Sequence, residues 1–413
     1  MTKNKVIENI TYYSFCGFTG GIIALIVWTF LRLMNLGISL IWQTIPSQIN
    51  FEFYPIIVCT IGGLILGIYQ KFTNAVPEEL NAVMAKVKKE KRYPYNKTFL
   101  LCISALLPLL FGGSIGPEAG LTGVIVGLCY WAGNNMKLIR NRIPDITELG
   151  ISATLGTVFY APLFGLVAPN EEKIYDSNSI APSRVQKTVS NIVAVLCAIG
   201  VIFALNMLFG GSSGLPRIGN YSITNTERLW GIPITLIGLL CGILFIAFEK
   251  LSEVIFSKIK GKFGIIVSTT LGGIILGIVG TYLPLTMFSG EESITELHSE
   301  YINYAPWILI LTGVVKLLLT NICIKSGWVG GHFFPVIFCG VSIGYGVAML
   351  TGLDIPFCCA VITGAILGCT MKKPLAVCLL LMLCFDPRII PWILISAFIG
   401  SLIPIGKKKK GVE

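Results

Sequence analysis

The chain has 413 residues, of which 54% are hydrophobic and 13% charged, with a mean hydropathy of +0.79. Such a composition excludes an ordinary soluble protein and points to an all-α polytopic membrane protein. The formal net charge of +10 sits on short basic runs between apolar segments, a topology signal that needs no nucleic-acid partner.

In chain order, Lys3 and Lys5 precede a first apolar segment, Gly17 to Leu33. It has no small-residue cleavage site and reads as a retained helix rather than a signal peptide. Apolar segments follow near 51–70, 98–112, 117–134, 144–168, 188–209, 229–249, 263–283, 305–324, 331–351, 355–370 and 374–404. The longest polar stretches, near 86–97 and 169–187, are too short to fold alone, so one integral membrane domain covering 1–413 is expected. Several apolar segments fall short of the roughly 20 residues a spanning helix needs. Others are cut at Gly116-Pro117, Ala161-Pro162, Gly330-Gly331 and Lys373-Pro374. Short, interrupted segments mark transporters whose half-helices meet near the midplane.

The interruptions repeat. Asn74 lies 42 residues before Gly116 and Pro162 lies 46 after it; Gly290 lies 41 before Gly331 and Pro374 lies 43 after it. This spacing predicts two inverted repeats, about 1–210 and 229–405, with a site between them and a basic tail at 406–413. Basic residues gather at 3–5, 86–92, 137–142, 173–187, 250–262 and 407–410, whereas 210–226 and 289–304 together hold only Arg217. The positive-inside rule puts the basic segments and both termini in the cytoplasm of a cell-membrane protein. Thirteen cysteines without a CxxC pair, and only His298 and His332, make buried thiols the expectation; no metal or other cofactor is expected. Gly210-Gly211-Ser212-Ser213-Gly214 matches a hydrolase pattern by letters but lacks strand-turn-helix context, so no enzyme is expected.

Glu118 is a carboxylate inside an apolar run from about Leu100 to Ala132. An acid at bilayer depth costs several kcal/mol, on the order of a functional site's penalty, and marks a candidate gate or proton carrier. The alternative is a first-turn acid complementing its own helix dipole, with Pro117 before it. Glycine-rich breaks expose helix N-termini whose backbone N–H groups attract anions. The two best are Gly116-Pro117-Glu118-Ala119-Gly120 and Gly330-Gly331-His332-Phe333-Phe334-Pro335. If both point inward, a dehydrated anion is held by amides, and Glu118 competes with it.

These stretches resemble the CLC family of chloride channels and chloride/proton exchangers. The family's Gly-x-Glu-Gly-Pro motif is similar to Gly116-Pro117-Glu118-Ala119-Gly120, and its Gly-x-Phe-x-Pro motif matches Gly331-His332-Phe333-Phe334-Pro335. Its Gly-Ser-Gly-Ile-Pro motif resembles Thr73-Asn74-Ala75-Val76-Pro77, followed by Glu78, and Asn-Ala-Pro-Leu-x-Gly resembles Tyr160 to Gly165. The resemblance runs over roughly 12–405 and implies a CLC-like inverted repeat of tilted and broken helices. It implies Glu118 as the external gating and proton glutamate, and Glu172 as the internal proton-transfer glutamate. It also implies an anion site at Gly116, Gly331, His332 and Phe333, with Asn74 in the place of the anion-coordinating serine. A homodimer with one pore per subunit is implied as well.

The departures concern selectivity and coupling. Asn74 stands for serine, and family members differing there include nitrate and fluoride carriers. The family's C-terminal tyrosine has no counterpart before Ile405-Gly406-Lys407, and no regulatory nucleotide-binding (CBS) domains follow. Pro117 removes one N–H from the outer site. Glu172 can also be read as half of a solvated pair with Glu171, Asn74 as an N-cap as well as an anion contact, and His332 as a backbone contributor or a pH sensor. The expected function is transport of chloride or a similar small anion, by exchange for protons through Glu118. The alternatives are a passive voltage- or pH-gated anion channel and, in another class, a non-transporting membrane scaffold.

Overall fold

The computed structural model describes residues 3–49, 51–78, 82–83, 93, 95–135, 143–169, 184–211, 214–219 and 225–404. The elements are helices α1 Lys3–Ser39, α2 Tyr54–Thr73, α3 Thr98–Leu110, α4 Glu118–Asn135, α5 Ile143–Val158, α6 Pro162–Val167, α7 Arg184–Phe209 and α8 Asn225–Tyr282. After these come α9 Glu291–Glu300, α10 Pro306–Ser326, α11 Phe333–Thr351, α12 Ile355–Met371, α13 Pro374–Leu381 and α14 Ile390–Ser401. Among the described residues, six stretches are long and apolar enough to cross a membrane: Ile10–Gln48, Tyr54–Thr73, Val185–Phe209, Leu229–Tyr282, Pro306–Ser326 and Phe333–Thr351.

At 58 residues, α8 is about 87 Å of helix at 1.5 Å per residue, far beyond one bilayer crossing. It is two helices that meet at Gly264, where φ is 82° and ψ 175°. That break divides the apolar runs near 229–249 and 263–283, as the sequence predicts. The run near 144–168 divides at Tyr160-Ala161 into α5 and α6. The run near 374–404 divides into α13 and α14 around Pro387–Ile389.

The two halves share backbone conformations at matching breaks. Gly112 (φ 84°) and Gly327 (φ 119°) are left-handed, each four residues before the Gly116 and Gly331 breaks. Tyr160 (φ 52°) and Lys372 (φ 59°) are left-handed non-glycine residues. Next come Ala161 (φ −118°, ψ 84°) and Lys373 (φ −131°, ψ 79°), each capping a helix that begins with proline. Proline suits the first helical position because it has no N–H to leave unpaired there. Asn74 (φ 50°) and Gly290 (φ 92°) are likewise left-handed. The spacing repeat is therefore a repeat of backbone geometry, carried by different residues.

Helices approach closely where one of them is small-residued. A side chain at Gly20 of α1 would collide with the Ala194 carbonyl of α7, and one at Gly273 of α8 with the Cys59 carbonyl of α2. Gly368 of α12 meets Ala397 of α14 in the same way. In lipid, where apolar burial drives little association between helices, this close packing is the main attraction. The core is densest at α11 and α12, buried through Phe333–Ala348 and Pro356–Cys369. All cysteines are free, and all but Cys102 and Cys197 are buried, so they pack as small apolar groups.

Gly273→Val forces α8 from α2 with no room to relax at the Cys59 carbonyl. A loss of about 1–3 kcal/mol is expected for such overpacking. Thermal unfolding in detergent is expected to show a lower midpoint than for the unaltered protein.

Candidate functional site

Two loops meet at the centre. Gly116 N–H donates to the Gly331 carbonyl and Gly331 N–H to the Gly116 carbonyl, both at 2.7 Å, an antiparallel bridge joining the two repeats. Directly after it, α4 starts at Glu118 and α11 at Phe333, so two helix N-termini converge. Glycine at both bridge positions leaves room for Glu118: a side chain on either would fall on its carboxyl group as it lies here. Gly116 and Gly331 are thus expected anion ligands whose amides serve each other, and their contribution to the site is space.

Glu118 is 1% exposed. Its carboxylate does not turn back on its own dipole alone but crosses to the other repeat, accepting the Phe333 amide at Oε1 over 2.9 Å. The amides of Phe334 and of Glu118 itself also face it. Oε2 is buried and, among the described residues, has no hydrogen-bond partner. A buried carboxylate with one oxygen unsatisfied is energetically costly and persists where function holds it. Its donors are backbone amides at helix N-termini, groups of the kind that attract anions.

The surrounding wall is aromatic. Phe159 stacks on Phe334 at 4.5 Å and meets Phe164 edge-on at 5.2 Å. The His332 ring lies 4.8 Å from Phe333 and 5.7 Å from Phe245, and its residue caps α11 without a side-chain capping bond. Behind the loops, Trp328 donates to the Thr269 carbonyl at 2.8 Å and Gln70 to the Gly327 carbonyl at 2.8 Å. Ser114 and Thr320 share a hydrogen bond of 3.2 Å.

Asn74 departs from the capping expectation. It ends α2 as a left-handed C-cap, its N–H donating to the Gln70 carbonyl, and residues 75–78 are not helical. Asparagine adopts the left-handed region more readily than most residues, and the Thr73 hydroxyl, not Asn74, takes the Ala75 amide at 3.2 Å. Asn74 is exposed. Glu172 lies outside the described residues, as do Ser212, Ser213 and the tail from 405.

Three features were not singled out from sequence. Lys316, alone in the apolar run of α10, is fully buried; its signal was the one that marked Glu118, a charge in a membrane segment. Glu148 of α5 is a buried acid paired with Lys187 of α7 at 2.6 Å, hidden in the sequence among ordinary loop-proximal charges. The third is a cavity of about 710 Å3, lined by residues including Arg32, Pro117, Tyr160, Phe288, Glu291 and Phe334. It reaches the residue preceding Glu118 and opens on the segments poor in basic residues. Glu292 and Glu296 also line it. The half-buried Glu291 is pushed up to about 7, first by burial, then by Glu292 and by Glu118.

A family model described as voltage gated chloride channel matches residues 61–404. The chloride channel protein CLC-f of Arabidopsis thaliana is 25% identical over 79% of this chain and 42% of its own length. The chain therefore spans about two fifths of that relative. A putative ion-transport protein, YfeO, of Escherichia fergusonii is 22% identical over 74% of this chain and 71% of its own. Among solved structures, a CLC-type fluoride/proton antiporter aligns with a TM-score of 0.76 at 18% identity, over 98% of this chain and 97% of its own. A slow cyanobacterial Cl−/H+ antiporter aligns at 0.78 and 17% identity, over 94% of each chain. These likenesses establish the fold of broken helices in inverted repeats.

Glu291 sits outside the spanning stretches, and its pKa is raised above the ordinary 4.5. The folded protein therefore holds this proton more tightly than the unfolded chain, and stability from this group falls as pH rises from about 4.5 to about 7. Glu291→Gln is expected to raise the unfolding midpoint at pH 8 and leave it nearly unchanged at pH 4, read by thermal scans in detergent.

Proposed function

Since the chain belongs to the voltage-gated chloride channel (CLC) family, we propose that it carries chloride or a similar small anion across the cell membrane in exchange for protons, with Glu118 as the moving gate. The observation that carries this reading is the Glu118 carboxylate between two helix N-termini, bonded to the Phe333 amide of the opposite repeat. An anion arriving from either side competes for the amides of Phe333 and Phe334, and a proton on Glu118 weakens the carboxylate's hold on them. Glu118 then leaves with its proton, and the anion takes its place. Each passage couples the two ions because the carboxylate and the anion compete for the same amides, and the carboxylate gives way when it takes a proton.

The anions named for the solved relatives, fluoride and chloride, define the first candidates; nitrate is the third. Glu172 serves as the inner proton donor in this reading, and Asn74 faces the inner mouth. Both termini are cytoplasmic, consistent with the basic segments between helices. The working assembly is a homodimer with one pathway in each subunit. No chemical conversion of the anion enters the cycle.

Purified protein in liposomes, followed with anion and proton electrodes, tests the reading. An imposed gradient of the preferred anion is expected to drive protons uphill. Glu118→Gln is expected to abolish proton movement while anion flux continues, and Glu172→Gln to reduce proton movement. Anion flux with no proton movement in the unaltered protein makes it a passive channel; no flux of any of the three anions leaves a scaffold.

A further inference from the structure

Lys316 is buried in α10 with 0% exposure. Its Nζ donates to four consecutive carbonyls: Leu285 at 3.3 Å, Thr286 at 3.0 Å, Met287 at 2.8 Å and Phe288 at 3.0 Å. It also lies 4.8 Å from the centre of the Phe338 ring. An ammonium has three N–H groups, so four carbonyls and a ring face satisfy it fully as a donor. They do not neutralise it. Among the described residues no carboxylate is paired with it, and a buried charge without a counter-charge is the costly case.

Its surroundings tie it to the central loops. One turn along α10, Thr320 bonds Ser114 of the loop leading to Gly116. One turn in the other direction, Thr312 lines the cavity that reaches Pro117. Phe288, whose carbonyl Lys316 holds, donates its own N–H to the Gly112 carbonyl at 3.1 Å. Phe338 belongs to α11, the helix whose first amide binds Glu118.

We propose that Lys316 is the fixed positive charge of the anion pathway: it clamps residues 285–288 against the loop beginning at Gly112, and it lowers the energy of an anion at the amides of α4 and α11. This rests on the transport reading above. The missing counter-charge is then the carried anion itself. A unit charge buried behind the loops acts on an anion at those amides through a medium of lower effective dielectric than water, and a tenfold shift in affinity asks only about 1.4 kcal/mol of that interaction. Lys316 is a positioning residue and touches no substrate.

The test is the chloride dependence of initial flux in liposomes for the unaltered protein, Lys316→Arg, Lys316→Gln and Lys316→Met. The two neutral variants are expected to raise the KM for chloride by about tenfold, and the arginine variant to stay within about twofold. A clamp without an electrostatic role changes the maximal rate or the yield and leaves KM in place. Neutral variants that transport with an unaltered KM therefore overturn the proposal. So does a series in which only the arginine variant can be purified folded, since the charge then serves folding alone. An unaltered protein that passes no anion overturns the transport reading and this inference with it.

Discussion

The mutual pairing of Gly116 and Gly331 is the constraint on which the rest depends. Two bonds between two glycines bring the starts of α4 and α11 together in the middle of the fold. Each helix start carries a partial positive charge of roughly half an elementary charge. Facing each other in a low-dielectric interior, they repel unless something negative lies between them. Glu118 supplies that charge from one helix to the amides of the other. The carboxylate therefore fills the place between the two helix starts that their partial positive charges leave for a negative group.

The demands of the bilayer explain why so much of the chain supports one small bridge. Broken backbone at membrane depth is tolerated only inside protein, where other donors and acceptors replace water. Groups in the broken stretches have such partners: the Gly327 carbonyl has Gln70, the Trp328 indole N–H has the Thr269 carbonyl of α8, and the Leu285–Phe288 carbonyls have Lys316. These partners come from α2, α8 and α10, so the packing of the spanning helices fixes the loops indirectly. Close glycine contacts such as Gly273 on Cys59 hold α2 and α8 at the separation that puts Gln70 within reach.

Sequence revealed what is stated by one residue against its background. Glu118 stood out because an acid is rare in an apolar run, and the Gly-Pro breaks stood out because they interrupt such runs. The repeat was legible because left-handed and proline-capped positions recur at set spacing, although Tyr160 matches Lys372 and Asn74 matches Gly290 in conformation only. Lys316 carried the same signal as Glu118 and was lost among basic residues read as topology. What could not be read is who bonds whom. Gly116 and Gly331 looked like donors to an anion because glycine-rich turns often are, yet their N–H groups face each other. Asn74 looked like the start of a helix and is the end of one, because a left-handed backbone is not written in the residue name. Glu291 lies in a polar stretch where an acid is unremarked, and only the fold brings it within electrostatic reach of Glu118.

The near-symmetry of the backbone sets off an asymmetry of side chains. Counting from the paired glycines, Pro117 matches His332 and Glu118 matches Phe333. Two acids at matching positions would repel across the bridge, and two phenylalanines would leave the helix starts with no negative charge between them. One acid and one phenylalanine give a single titratable group that reaches across to the amide opposite it. Pro117 removes an N–H beside the acid, while His332, a residue with both N–H and ring, stands at the matching place. The cavity reaches both halves of the site, at Pro117 beside the acid and at Phe334 in α11. A symmetric backbone thus carries an asymmetric pair, because the titratable group belongs to one repeat and the amide that receives its carboxylate to the other.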